Sequence, residues 1–253
     1  MILDKFRPDN QVAVVTGAGR GLGLGMAAAL AEAGADVVAV QRSPDSPALA
    51  DRVSAAGRRL HICPIDVTAD RAAEIALEQT LAAFGRVDIL VNNAGAQHRV
   101  PAADFPRADW DRILAINLQA VFDFCQVFGR VMLEQRHGKI LNIASVISFQ
   151  GGIRIPAYAA AKHAVVGLTR SFSNEWAAQG VNVNAIAPGY MDTDMSEALI
   201  NDPDRNRSVM ERIPAGRWGA PEDLAGPVVF LASAASDYVH GEVLVVDGGW
   251  LAR

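Results

Sequence analysis

Tyr158 and Lys162 stand four residues apart in a helix-like segment, so both side chains project from one helical face. A phenol with an ordinary pKa of about 10 is a poor base at neutral pH. A neighbouring ammonium favours the phenolate, and the pair can then exchange a proton with an alcohol. A surface lysine beside a packed tyrosine has the same spacing, and taken alone the pair says little. Ser145 changes that. It lies thirteen residues before Tyr158, at the end of a strand-like run, and brings a hydroxyl able to hold a substrate oxygen and steady developing charge. Phenol, ammonium and hydroxyl make a proton-transfer set.

A second constellation lies near the N-terminus. Thr16-Gly17-Ala18-Gly19-Arg20-Gly21-Leu22-Gly23 follows one apolar run and opens directly into Leu24–Ala33. Glycines there permit a tight turn and let a pyrophosphate approach backbone N–H groups at a helix N-terminus, where the dipole favours negative charge. A strand before and a helix after point to a dinucleotide site rather than an ordinary turn.

The elements that must position these groups alternate. Strand-like runs at 11–16, 36–41, 60–64, 87–92, 139–144, 181–187 and 243–246 are rich in valine and isoleucine, with no polar face. Helix-like segments near 22–33, 45–56, 69–84, 107–135, 157–179 and 221–233 separate them. The pattern predicts an α/β fold, a doubly wound seven-stranded parallel sheet with helices on both faces. No linker, repeat or charge run divides residues 1–253, so one domain is expected. The most polar stretch, 201–207, reads as a solvated tip or mobile lid.

Composition narrows the partners. The chain has 253 residues, 51% hydrophobic and 20% charged, with a formal net charge of −5, which gives no electrostatic reason to expect nucleic acid or an anionic membrane. Cys63 and Cys125 sit among apolar residues and read as buried thiols, and no Cys/His cluster has metal-ligand spacing, so no metal is expected. Residues 1–10 carry four charges without an apolar core, and longer apolar stretches are broken before spanning length, so a cytoplasmic location is expected.

The spacing Thr-Gly-x-x-x-Gly-x-Gly, followed in order by Asn92-Asn93-Ala94-Gly95, Ser145, Tyr158 and Lys162, resembles the short-chain dehydrogenase/reductase family over essentially the whole chain. The resemblance implies a Rossmann-type fold, an NAD(P)-dependent oxidoreductase and a homotetramer paired through the long helices at 107–135 and 157–179. It implies a catalytic tetrad of Asn117, Ser145, Tyr158 and Lys162. Lys162 would also hold the nicotinamide ribose, and Asn117 would anchor a relay water. Asn117 could equally satisfy backbone groups where its helix bends. By the same resemblance Gly17, Gly19, Arg20, Gly21, Leu22, Gly23, Gln41, Arg42, Asp66, Val67, Asn93, Ala94 and Gly95 line the dinucleotide cleft. Pro188, Gly189 and Thr193 meet the nicotinamide amide.

Cofactor choice stays open. An acid ending the second strand would bind ribose hydroxyls and favour NAD. Gln41-Arg42-Ser43 stands there instead, and Arg42 with Arg20 could meet the 2′-phosphate of NADP. The resemblance pulls slightly toward NAD.

Stretches 148–154, 182–191, 212–219 and 246–253 resemble sugar-acid dehydrogenases of the 2-deoxy- or 2-keto-3-deoxy-gluconate class. A sugar acid needs a cation for its carboxylate and polar groups for its hydroxyls. His98, Arg99, Gln150, Arg154 and Tyr190 are the candidates, with Arg154 or Arg99 for the carboxylate. The tail 250–253 is expected to reach a neighbouring subunit's site. The competing readings are a 3-oxoacyl carrier-protein reductase, a steroid-type dehydrogenase, and a non-catalytic dinucleotide-sensing protein on the same fold.

Overall fold

Valine and isoleucine are stiff at χ1 and pack well on a pleated surface, and the seven runs rich in them become seven strands. The computed structural model describes all 253 residues. Strands β1 (Val12–Thr16), β2 (Asp36–Gln41), β3 (Leu60–Pro64), β4 (Ile89–Asn92), β5 (Gly138–Ile143), β6 (Val181–Pro188) and β7 (Val243–Val246) form one sheet in the order β3-β2-β1-β4-β5-β6-β7. Every adjacent pair is parallel.

The helices are α1 (Gly21–Glu32), α2 (Pro47–Ala55), α3 (Ala72–Phe84), α4 (Arg107–Leu114), α5 (Ala120–Gln135), α6 (Pro156–Trp176), α7 (Glu197–Ile200), α8 (Pro203–Met210) and α9 (Ala225–Ala232). Met26 and Leu30 of α1, Leu49 of α2 and Leu231 of α9 cover one face of the sheet, over Ala13, Val37 and Val91. Ala76 of α3, Phe124 and Phe128 of α5 and Val165 of α6 cover the other, over Val14, Val38 and Val183. Both faces are therefore dry, which accounts for the mostly apolar strands; where β6 alternates, Asn182 and Asn184 are buried and donate to Val239 O. No helix is long and apolar enough to cross a membrane.

Two expectations about helices are corrected. The helix expected over 107–135 is interrupted by a π turn at Ala115–Gln119. Such wide turns loosen the backbone ladder, and Asn117 steps in: its Nδ2 donates to Ile113 O at 2.9 Å and to Ala96 O at 2.8 Å. The stretch 201–207, expected as a solvated tip or mobile lid, is exposed at all but Asn206, and from Pro203 it is helical, where no helix was expected. The Asp202 carboxylate caps it, accepting from the backbone N–H of Asp204 and of Arg205 at 3.1 Å each, and Pro203 occupies the first helical position.

Winding reverses between β1 and β4, so the loops leaving these strands part and open a crevice at the carboxyl edge of the sheet. Thr16 Oγ1 fixes its floor by accepting from the N–H of Asn93 and of Ala94, each at 3.0 Å. The Asn93 side chain returns a bond to Thr16 O at 2.9 Å. The parallel sheet thus delivers the glycine loop, the Asn-Asn-Ala-Gly turn and Ser145 to one edge.

Candidate active site

The glycine loop fits a pyrophosphate on two observations. Gly17 adopts φ +68°, and a Cβ on Gly23 would come 2.2 Å from Gly17 O and 2.4 Å from Asn93 Nδ2, so only hydrogen fits there. Arg20 precedes α1 without a side-chain cap, leaving the helix's first N–H groups aimed out of the loop for an anion. Thr193 closes over this corner, its Cγ2 lying 3.6 Å from the position of a Cβ on Gly21. Pro188 ends β6, and Gly189 N donates to Val246 O at 2.9 Å, so the segment expected at the nicotinamide sits across from the loop.

The adenosine side is more decisive. Gln41 is buried, and its Nε2 donates to Ser43 O at 3.0 Å and Asp45 O at 2.9 Å. Both amide hydrogens are spent, which fixes the side chain's orientation. Its Oε1 is buried without a partner and lies 2.8 Å from where a Cβ on Gly19 would be. Both candidate phosphate cations face acids. Arg20 pairs with Asp194 at 2.7 Å, and Arg42 is close enough to Asp66 for its charge to help lower that carboxyl's pKa. The larger cause at Asp66 is hydrogen bonding from Thr68, N–H at 2.9 Å and hydroxyl at 2.7 Å. Val67 is half-buried beside it, and Gly95 is exposed at the crevice mouth.

Ser145 and Tyr158 meet at the carboxyl edge. Ser145 ends the β5 run and caps the 3-10 turn Val146–Ser148, its Oγ accepting from Ile147 N at 3.2 Å. Tyr158 lies in the first turn of α6. Burial pushes its phenol above the ordinary value; the Ser145 hydroxyl, then the charge of Arg99, pull the other way without overcoming it. Lys162, one turn further, is 4% exposed, and its ammonium donates to Ile143 O at 2.6 Å while lying 5.7 Å from the centre of the Tyr158 ring. Burial lowers the Lys162 ammonium to about 8.

This differs from the expected arrangement, in which Lys162 lowers the phenol's pKa. A buried ammonium must find an acceptor, and the strand-end carbonyl holds it beneath the ring. Arg99 is a cation whose charge pulls the phenol downward. Asn117 satisfies backbone groups where its helix bends: both its amide hydrogens go to backbone carbonyls and Oδ1 accepts from Ala96 N at 3.4 Å, an arrangement that leaves an Oδ1 lone pair able to accept from a relay water.

The substrate candidates divide. Val100 N donates to Arg154 O at 3.0 Å, which joins the loop carrying Arg99 to the one carrying Arg154. Arg154 itself sits at φ +64°, a strained backbone for a side-chain-bearing residue. Gln150 Oε1 accepts from Trp250 Nε1 at 2.9 Å, and the Tyr190 ring packs 4.5 Å from Trp250 and 5.6 Å from Trp218. His98 stands apart: Nε2 lies 3.3 Å from Asp109 on α4, and its ring is edge-on to Phe105. Trp250, 4% exposed, packs against Val146 and Val209 of its own chain. Within its own chain the indole docks beside the Ser145 segment, where a large apolar ring finds cover. Arg205 on α8, passed over within a polar stretch, lies near enough to disfavour the Arg99 charge. Asp202 followed by Pro203 was the available signal, since a cap and a first-turn proline would have put Arg205 on a helix.

With this geometry in place, comparison with known proteins is specific. A family profile described as enoyl-(acyl carrier protein) reductase matches residues 17–251. The 2-dehydro-3-deoxy-D-gluconate 5-dehydrogenase of Dickeya dadantii (strain 3937) is 50% identical over 254 aligned residues, 100% of both chains. The gluconate 5-dehydrogenase of Gluconobacter oxydans (strain 621H) is 41% identical over 247 residues, 97% of this chain and 96% of the other. The crystal structure of a gluconate 5-dehydrogenase from Burkholderia cenocepacia J2315 in complex with NADP and tartrate superimposes with TM-score 0.95 at 42% identity, covering 100% of each chain. Fold, crevice and full-length similarity agree, and the chain belongs to the short-chain dehydrogenase/reductase family.

Proposed function

We propose that the chain, acting as one domain over residues 1–253, oxidises a secondary alcohol of a sugar acid, or reduces the matching ketone, within the 2-deoxy- or 2-keto-3-deoxy-gluconate class. The dinucleotide supplies the hydride acceptor and donor at its nicotinamide ring. In oxidation Tyr158 takes the hydroxyl proton at its phenolic oxygen. Ser145 donates a hydrogen bond to the same substrate oxygen, and Lys162 exchanges protons with Tyr158 and holds the nicotinamide ribose. Asn117 acts as a positioning residue, tying α4 to the loop after β4. The homotetramer implied by resemblance is supported by Phe122, 38% exposed and stacked on Phe172 at 6.0 Å, which leaves an aromatic face on α5 and α6 open to another copy.

The observation that carries the substrate reading is Arg99. Its guanidinium lacks an acid partner, is destabilised by burial, and lies close to Tyr190 and Tyr158. A carboxylate beside the reacting carbon is the ligand such a group asks for. The test is a panel of sugar acids assayed with each dinucleotide, beside acetoacetyl thioesters and steroids. Turnover of 2-keto-3-deoxy-gluconate-type acids is expected, with KM rising about 10-fold or more in Arg99→Ala or Arg154→Ala. Turnover of thioesters without sugar acids overturns the reading.

NAD is the preferred dinucleotide on this reading. The orphaned Gln41 Oε1 can only accept, so a ribose hydroxyl satisfies it and a 2′-phosphate, all acceptors, does not. Gln41→Ala is expected to weaken NAD binding by about 3- to 10-fold, the worth of one neutral hydrogen bond, and to leave NADP unaffected or improved. Tryptophan-fluorescence titration reads both constants. Equal losses for the two dinucleotides count against the assignment.

A further inference from the structure

We propose that Arg205, on the short helix α8, is a specificity-determining residue that holds the substrate's carboxylate together with Arg99 and Arg154. The inference rests on the sugar-acid reading above and adds a residue that neither the motifs nor the family resemblance assigns.

Placement comes first. Residues 202, 205, 206 and 209 fall on one face of a helix by the three-and-four spacing. That face is turned toward the cleft. Val209 packs with Val146, the residue after Ser145, and with Tyr190, Trp218 and Trp250. Asn206 Oδ1 accepts from Trp218 Nε1 at 2.9 Å. Arg205 is exposed and lies at the edge of that face, next to Val209, from which a long side chain can reach the cleft mouth. On the opposite wall, the hydrogen bond from Val100 N to Arg154 O at 3.0 Å draws Arg99 and Arg154 together.

Charge comes second. Fourteen ion pairs, ten of them through arginines, hold other charged groups of the chain, and none includes Arg99, Arg154 or Arg205. Arg99 is the cation nearest Tyr158 in effect, and the exposed Arg154 and Arg205 act on Arg99. The charges of Arg205 and Arg154 both disfavour the Arg99 cation, so they act at close quarters. A cluster of like charges is costly when empty, and an anion relieves it. Guanidinium forks match a planar carboxylate, and two or three forks around one carboxylate reject a neutral polyol, which leaves them unpaired. The Asp202 and Asp204 carboxylates do not cancel the cluster, because Asp202 is spent on the backbone N–H groups of its own helix and Asp204 points from another face.

The experiment measures gluconate and a neutral polyol of equal length against the protein saturated with dinucleotide, by calorimetric Kd and by steady-state kinetics. Arg205→Gln is expected to weaken gluconate about 10-fold or more. KM carries the loss, while kcat, polyol binding and the dinucleotide Kd stay unchanged. Arg205→Lys, which keeps the charge and loses the fork, falls between. If Arg205→Gln binds gluconate as the parent does while Arg99→Gln or Arg154→Gln loses it, the assignment of Arg205 is wrong and the sugar-acid reading stands. If all three variants bind gluconate unchanged, the sugar-acid reading itself fails. Equal weakening of acid and polyol by Arg205→Gln marks a supporting role in the fold and also overturns the proposal.

Discussion

Replacing Tyr158 by phenylalanine lowers kcat by about 100- to 10,000-fold, the range one positioned acid–base group contributes, while dinucleotide affinity is retained. The ring keeps its volume on α6, and Lys162 keeps its carbonyl partner, so the fold has no reason to respond. What disappears is the atom that gives or takes the proton. The sign of the pH response follows from the two shifts. Burial keeps the phenol protonated beyond its ordinary range, so ketone reduction, which spends that proton, is supported on the acid side. Oxidation needs the phenolate and gains rate as pH rises. The Lys162 ammonium, lowered to about 8, is a stronger acid than the phenol, and in the proposed mechanism it returns a proton to the phenolate after each reduction. Reduction therefore declines as pH climbs through about 8. Parallel pH profiles of kcat in both directions check this, and a reduction rate flat from pH 7 to beyond 9 contradicts it. Substantial residual turnover in the phenylalanine variant would remove Tyr158 from the mechanism.

Gly23→Ala is the second large effect, and it strikes binding rather than chemistry. The new methyl would meet the carbonyl of Gly17 and the Asn93 amide, neither of which is the free end of a flexible chain. Overpacking of this kind costs about 1–3 kcal/mol, paid here by opening the loop away from the helix start. Dinucleotide affinity is expected to fall roughly 10- to 100-fold, a fold-change equivalent to that energy, for NAD and NADP alike. Circular dichroism separates this from unfolding. Unchanged binding of both dinucleotides would mean that the pyrophosphate lies elsewhere.

Much of this architecture was legible in residue order because each strand is a short dry run closed by a helix of matching length. β2, β3 and β7 begin and end where the expected runs do, and alternation of strand and helix was enough to expect a doubly wound parallel sheet of seven strands. What stayed hidden needed three dimensions. The π turn around Asn117 has no compositional mark, because its residues favour an ordinary helix as well. The helix at Pro203 was obscured by exposed polar side chains, although its cap and proline were present. The partner of Lys162 is a backbone carbonyl on β5, invisible to any reading of side-chain types. Gln41 looked like the absence of an acid, and only its spent amide hydrogens reveal the bare oxygen behind it.

The wide turn at Ala115–Gln119 works like a gear tooth between two wheels that must mesh with different partners. On its near side the chain is locked to Ala96, and on its far side Phe124, Phe128 and Met132 are seated under the sheet. Removing one residue to straighten the rod would swing everything beyond it by about 100°, unseating either the aromatic rings or the cleft wall. Changes of length in this chain are therefore tolerable at its exposed corners and forbidden at this one place inside a helix.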